Sequence, residues 1–257
     1  MRIRVIACEV LARPLYLLAA NSPHIVDIEL MPKGLHNEPD RLRAALQGRI
    51  DAPAQFTYDA VALGYALCSN ATAGLVARDV PVVLPRGHDC ITLYLGSRNA
   101  YEREFSEHPG TYYYTKDYWE RSNDDGVALG AVTDAAIRQQ YEEYVRKYGK
   151  DNADYLIEVL GAWRQNYRRA AFIAMGIGDE SLAERAAQEE AARNNWEYAR
   201  LAGSLQLLRK LVDGEWDEDF LIVPPEHAVR VTYREDIVEA SRPAGGHTAR
   251  PKMPGND

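Results

Sequence analysis

Four short apolar runs in the first hundred residues, separated by helix-length or turn-rich segments, constrain this chain more than any other feature. "RIRVIAC" (2–8) reads as a buried parallel strand, and "EVLARPLYLLAAN" after it is long enough for a helix. "HIVDIELMP" (24–32) is a second strand, followed by the loop "KGLHNEP" and a helix from Pro39 to about Ile50, with Pro39 suited to its first turn. "DAVALGYALC" (59–68) is a third strand, and "SNATAGLVARD" offers Ser and Asn at a helix start; "VPVVLP" (80–85) is the fourth strand. Strands alternating with short helical links imply a parallel sheet wound by right-handed crossovers.

The alternation pauses and then resumes. Ile137, Tyr141, Tyr144, Val145 and Tyr148 fall on one helical stripe, and Tyr155, Leu156, Val159, Leu160 and Trp163 fall on another. "RAAFIAMG" (169–176) and "WEYARLAG" read as strands around the helix "DESLAERAAQEEAARNN". Leu205, Leu208, Leu211 and Val212 make a helical stripe ended by Gly214, and "DFLIVPP" (219–225) is a closing strand. The expected fold is therefore α/β, two Rossmann-like lobes with mainly parallel sheets joined by a helical middle segment. The expected boundaries are 1–110 for the first lobe, 111–168 for the aromatic and helical connection, 169–240 for the second lobe and 241–257 for a disordered Pro- and Gly-rich tail.

Composition narrows the function. The chain has 257 residues, 46% of them apolar, enough for a sizeable core, and its formal charge of −8 argues against a general nucleic-acid binder. It contains no long uncharged apolar run, and "MRIRVIACEV" enters a strand pattern directly, so a cytoplasmic protein without a membrane span is expected. "MGIGDES" has Ser181 where a dinucleotide-binding turn needs its third glycine, so no nicotinamide cofactor is expected.

Three cysteines are few enough to locate individually. Cys8 ends the first strand, Cys68 ends the third, and Cys90 follows the fourth within "PRGHDC"; His36 follows the second strand and His88 the fourth. The carboxyl edge of an open parallel sheet is where loops converge on ligands. Three free cysteines can also be small buried fillers, the ordinary fate of any one of them. His24, His108, His227 and His247 read as surface or capping residues.

If the five residues form a site, several chemistries compete. Cys8, Cys68 and Cys90 suit a [4Fe-4S] cluster with one iron open to a small-molecule substrate. They also suit zinc, with His88 or His36 as a further ligand or with an open position. Without metal, a Cys–His pair would serve as nucleophile and base. His36, His88 and Arg86 are the candidate catalytic groups, Arg86 by neutralising a cluster or holding a carboxylate. A helix beginning at Ser69 would favour a Cys68 thiolate, and Asp89 reads as a helix cap. Tyr112, Tyr113, Tyr114, Tyr118 and Trp119 read as core or as the wall of an interlobe cleft, and Thr115 as the cap of a short helix.

"IAC", "LHNEPDRL", "LGYALCSN", "LPRGHDCITLYLGSRNAY", "PGTYYYTKDYW" and "LLRKLVDGEWDEDFLIVPP" together resemble the domain-of-unknown-function 1638 family over residues 1–225. The resemblance implies that the Cys and His positions belong to the family pattern. It also implies a setting beside corrinoid methyltransferase systems, hence one-carbon metabolism and a possible corrinoid-methyltransferase partner. It names no reaction. A non-catalytic metal or corrinoid accessory protein stays open, as does a homo-oligomer. The arrangement is similar in idea to quinolinate synthase, which holds its cluster with three cysteines from strand ends.

Overall fold

The computed structural model describes residues 1–121, 141, 145, 146, 149, 150, 166–232, 234 and 236–242. The stripe around Ile137 falls mostly, and the stripe from Tyr155 to Trp163 and the tail from 243 wholly, outside the described residues.

The first sheet contains β1 (Arg2–Cys8), β2 (Ile25–Met31), β3 (Ala60–Gly64), β4 (Val82–Pro85) and β8 (Phe220–Val223), in the order β2-β1-β3-β4-β8. β1 to β4 are mutually parallel, as the crossover pattern requires, and β8 pairs antiparallel with β4. A second, parallel sheet has the order β5-β6-β7, from β5 (Thr111–Tyr114), β6 (Arg169–Ala174) and β7 (Glu197–Ala202). β9 (Ala228–Val231) and β10 (Val238–Ser241) form a hairpin.

The helices are α1 (Ala12–Ala19), α2 (Pro39–Asp51), α3 (Cys90–Leu95), α4 (Arg98–Glu107), α5 (Lys116–Glu120), α6 (Ser181–Asn194) and α7 (Gln206–Val212), among the described residues. Alternation along β1 decides which layer covers which face. Ile3, Val5 and Ala7 share a buried cluster with Leu11 and Leu15, with Leu93 and Tyr94 of α3, and with Leu208 and Leu211 of α7. Ile6 packs on the other face with Leu42, Leu46 and Ile50, which recur at four-residue spacing along α2.

The first cluster also includes Tyr113, Ala171 and Ile173 from the second sheet, so the two parallel sheets share one core. The far face of the second sheet, with Tyr114 and Phe172, packs on Ala183, Ala187 and Ala191 of α6.

Four local expectations need correction. "FLIV" does not close the second lobe: it covers the free edge of β4, a pairing across more than 130 residues that a short apolar run cannot announce. "TYYY" is not connecting segment but the edge strand of the second sheet, paired with β6, and Thr115 accepts from Tyr118 N at 3.2 Å to start α5. The third strand stops at Gly64, not Cys68. No α-helix begins at Ser69: residues 68–74 are turns, and Cys68, Ser69 and Asn70 have φ of 46°, 56° and 66°.

Candidate functional site

The chain ends three strands at one place and leaves a thiol at each. Cys8, Cys68 and Cys90 are all free, and all line one cavity of about 430 Å³ with His36, Tyr65, Asp89 and Tyr118.

Each cysteine is placed by a different device. Cys8 is the last residue of β1, opposite Met31, and the turn after it is pinned where Tyr94 Oη donates to the Val10 carbonyl at 2.6 Å. Gly64 faces Ala7 across the β1–β3 ladder, where an added Cβ would lie 2.5 Å from the Ala7 Cβ. Only glycine lets β3 close against the strand that carries Cys8.

Cys68 is held by main chain. Leu67 N donates to Gly87 O and Cys68 N to His88 O, both at 2.9 Å, so the loops beyond β3 and β4 stay zipped together and bring Cys68 beside Cys90. The three left-handed residues that follow cost about 1–2 kcal/mol each by ordinary backbone preference. Ala71 N donating to Cys68 O at 3.0 Å closes the turn that holds them. Cys90 opens α3, whose cap is Asp89: Ile91 N donates to Asp89 Oδ1 at 2.9 Å. Tyr101 Oη donates to Asp89 Oδ2 at 3.1 Å.

Burial sets the charge states. The cysteines keep intermediate exposure because they open onto the cavity, yet protein surrounds them. Desolvation pushes the Cys8 thiol up to about 11, opposed by the Val10 amide, the Tyr65 hydroxyl and Arg121, with Glu9 adding to it. Desolvation and then the Asp89 charge push Cys68 up to about 12 and Cys90 well above the usual thiol range. The expected helix-dipole activation of Cys68 is thereby overturned, since no helix starts there and its environment favours the neutral thiol. Desolvation, then the Lys33 charge, lowers His36, which keeps the imidazole neutral at pH 7. Burial likewise raises Asp89, against the hydrogen bonds from Ile91 and Tyr101.

Two sequence candidates point elsewhere. His88 is exposed, its ring lies 6.1 Å from that of Tyr101, and it is not among the residues lining the cavity; its contribution is the carbonyl that receives Cys68 N. Arg86 donates to the carbonyls of Phe220 at 3.2 Å, Asp236 at 2.9 Å and Val238, so it ties the β4 loop to the C-terminal strands. His36 does line the cavity.

Three residues enter the site that sequence reasoning did not put there. Tyr65 was hidden by the strand reading of "LGYALC", and Asp89 was read as a cap alone. Tyr118 was folded into an aromatic block; its ring lies 5.0 Å below Lys33 Nζ. The rest of that block divides, with Tyr114 buried in the core and Tyr112 and Tyr113 lining a separate cavity.

Among the described residues no group of three or more His, Cys, Asp or Glu side chains is arranged to hold a metal ion. No helix among them is long and apolar enough to cross a membrane. The profile of a family described as "Protein of unknown function (DUF1638)" matches residues 30–212. The matched stretch contains His36, Cys68, His88 and Cys90 and begins after Cys8. No curated protein and no solved structure matches the chain.

Proposed function

On the premise that the chain belongs to the domain-of-unknown-function 1638 family, we propose that it is a metal-dependent enzyme in which Cys8, Cys68 and Cys90 hold a [4Fe-4S] cluster. The observation that carries this reading is that three free thiols from three strand ends line one cavity. When bound, the cluster supplies an iron without a protein ligand, a Lewis acid for an oxygen or sulfur of a small substrate.

The donor set bears on the competing chemistries: a nucleophile needs one thiol, and three line this cavity. Nucleophile and metal ligand both need the thiolate, so these raised thiols call for a positively charged partner that displaces their protons, which a metal centre supplies. A single zinc draws thiolates to about 2.3 Å from itself and so to within about 4 Å of each other. A cubane spreads its ligands more widely, which suits three thiols that reach one cavity from three separate segments.

The protein's own groups then divide the work. The cysteines bind and each releases a proton on loading. His36, neutral and on the cavity wall, takes up or gives a proton to the substrate. Tyr118 closes one side of the cavity, with Lys33 Nζ 5.0 Å from its ring. Asp89 stays hydrogen-bonded to Tyr101 and the α3 amides, a placement that orients the Cys90 turn. We assign the reaction to cytoplasmic one-carbon or corrinoid-linked metabolism on the resemblance alone.

His36 beside three thiols also favours a second reading, a zinc site activating a thiol or water. Metal and acid-labile sulfide analysis with a visible spectrum, on protein purified without air, separates the two. Iron with equal sulfide supports the cluster; zinc without sulfide replaces it with the second reading. Protein that takes up neither after reconstitution removes the ligand assignment.

A further inference from the structure

Tyr65 is the first residue beyond β3, it is 4% exposed, and it lines the cysteine cavity. Its hydroxyl oxygen is out of reach of solvent and makes no hydrogen bond of full geometry; the group it faces is the Cys8 thiol, a weak partner. A buried hydroxyl without an acceptor is costly, and such groups call for an explanation. Its electrostatic surroundings are sulfur: Cys8 first, then Cys68 and Cys90. A phenol has a proton to donate near neutral pH, and the sulfurs are the acceptors around it.

A stronger acceptor is supplied by chemistry. A protonated thiol is a weak hydrogen-bond acceptor, whereas a metal-bound thiolate carries negative charge and free lone pairs. We propose that Tyr65 Oη donates a hydrogen bond to Cys8 Sγ once that sulfur is a metal-bound thiolate, making Tyr65 a positioning residue that tunes the centre. This rests on the three-thiolate reading above. The bond withdraws electron density from sulfur, which stabilises the reduced cluster and raises its potential. It also holds the Cys8 side chain in its ligating orientation, as outer partners do for other metal ligands.

The test compares wild type with Tyr65→Phe after anaerobic reconstitution with ferrous iron and sulfide. Iron and sulfide content, midpoint potential and the rate of iron loss to a chelator are measured on both, and denaturant unfolding on both metal-free forms. The Phe variant is expected to be at least as stable as wild type when metal-free, because the hydroxyl it lacks had no full partner. Once loaded, it should show a lower potential and lose iron about tenfold faster. Equal potentials and equal release rates overturn the role of Tyr65 while leaving the cluster in place. A metal-free variant that is clearly less stable also overturns it, in favour of a structural hydroxyl. Wild type that takes up no iron overturns the three-thiolate reading and this inference with it. Incorporation of 3-fluorotyrosine at position 65, which strengthens the donor and keeps the ring, should raise the potential; no change counts against the bond.

Discussion

The two edges of the first sheet form cavities of similar size and opposite chemistry. The amino edge has the larger, about 520 Å³, lined by Arg4, Asp51, Phe56, Tyr58 and Arg78. Its arginines are matched: Arg4 with Glu29 at 2.5 Å and Arg78 with Asp51 at 2.6 Å, while neighbouring Arg2 pairs with Asp27 at 2.8 Å and stacks 3.5 Å over Phe56. The carboxyl edge has the smaller cavity, in which three thiols, a neutral imidazole and the Tyr65 phenol gather without a salt bridge among the described residues. Volume does not distinguish them. What differs is whether the polar groups are already satisfied, and unsatisfied groups are where a ligand has something to gain.

That contrast is broken or sharpened most strongly by the cysteines. Replacing any one of Cys8, Cys68 or Cys90 with Ser should abolish iron and sulfide binding while circular dichroism stays near wild type; a Ser variant with full metal content removes that residue from the ligand set. Next comes reactivity. With Cys8 at about 11 against a reference of 9.0, its thiolate fraction at pH 7.5 is about a hundredfold below that of an unperturbed cysteine. Alkylation of metal-free protein, followed by mass spectrometry, should be correspondingly slow and accelerate toward pH 11. Fast labelling at pH 7.5 would contradict the buried thiol.

Asp117, buried in α5 beside the site, offers a larger stability effect than any surface charge. Desolvation and then Glu120 raise its carboxyl from 3.8 to about 6, opposed by Arg13 and Lys116. A raised carboxylate favours folding in its protonated form, so the folded state loses stability as pH rises from about 4 through 6. Asp117→Asn should therefore be more stable than wild type at pH 8, by up to about 3 kcal/mol, with the gain vanishing below pH 4. Parallel unfolding curves across that range would count against the burial. Gly64→Ala should cost about 1–3 kcal/mol through its collision with Ala7, with weaker metal retention, read from denaturant midpoints and iron content. At the amino edge, Arg78→Ala should cost no more than about 1 kcal/mol and leave metal content unchanged.

Strand identity was legible wherever a short apolar run stood between turn residues, as in β1, β4 and β6. Sheet membership was not, because the partner of "FLIV" is chosen by the free edge of β4 rather than by anything local. The convergence of the cysteines was legible because the strands leading to them can be read from their pattern, although β3 stops at Gly64, short of Cys68. The directions of Arg86 and His88 were not: two residues apart in one loop, one reaches three distant carbonyls and the other faces solvent. The Ser and Asn after Cys68 signalled a helix start, but both also tolerate left-handed turns, and the zipped loop selected the turn.

The grip of Arg86 has a consequence for the order in which the protein is made. All three cysteines lie within the first 90 residues and are synthesised early. The loop bearing Cys90 is anchored to Phe220, Asp236 and Val238, which emerge last. A nascent chain thus carries all three cysteines well before it has the strands that anchor the Cys90 loop, and the cavity is complete only once residues 220 to 238 have been made.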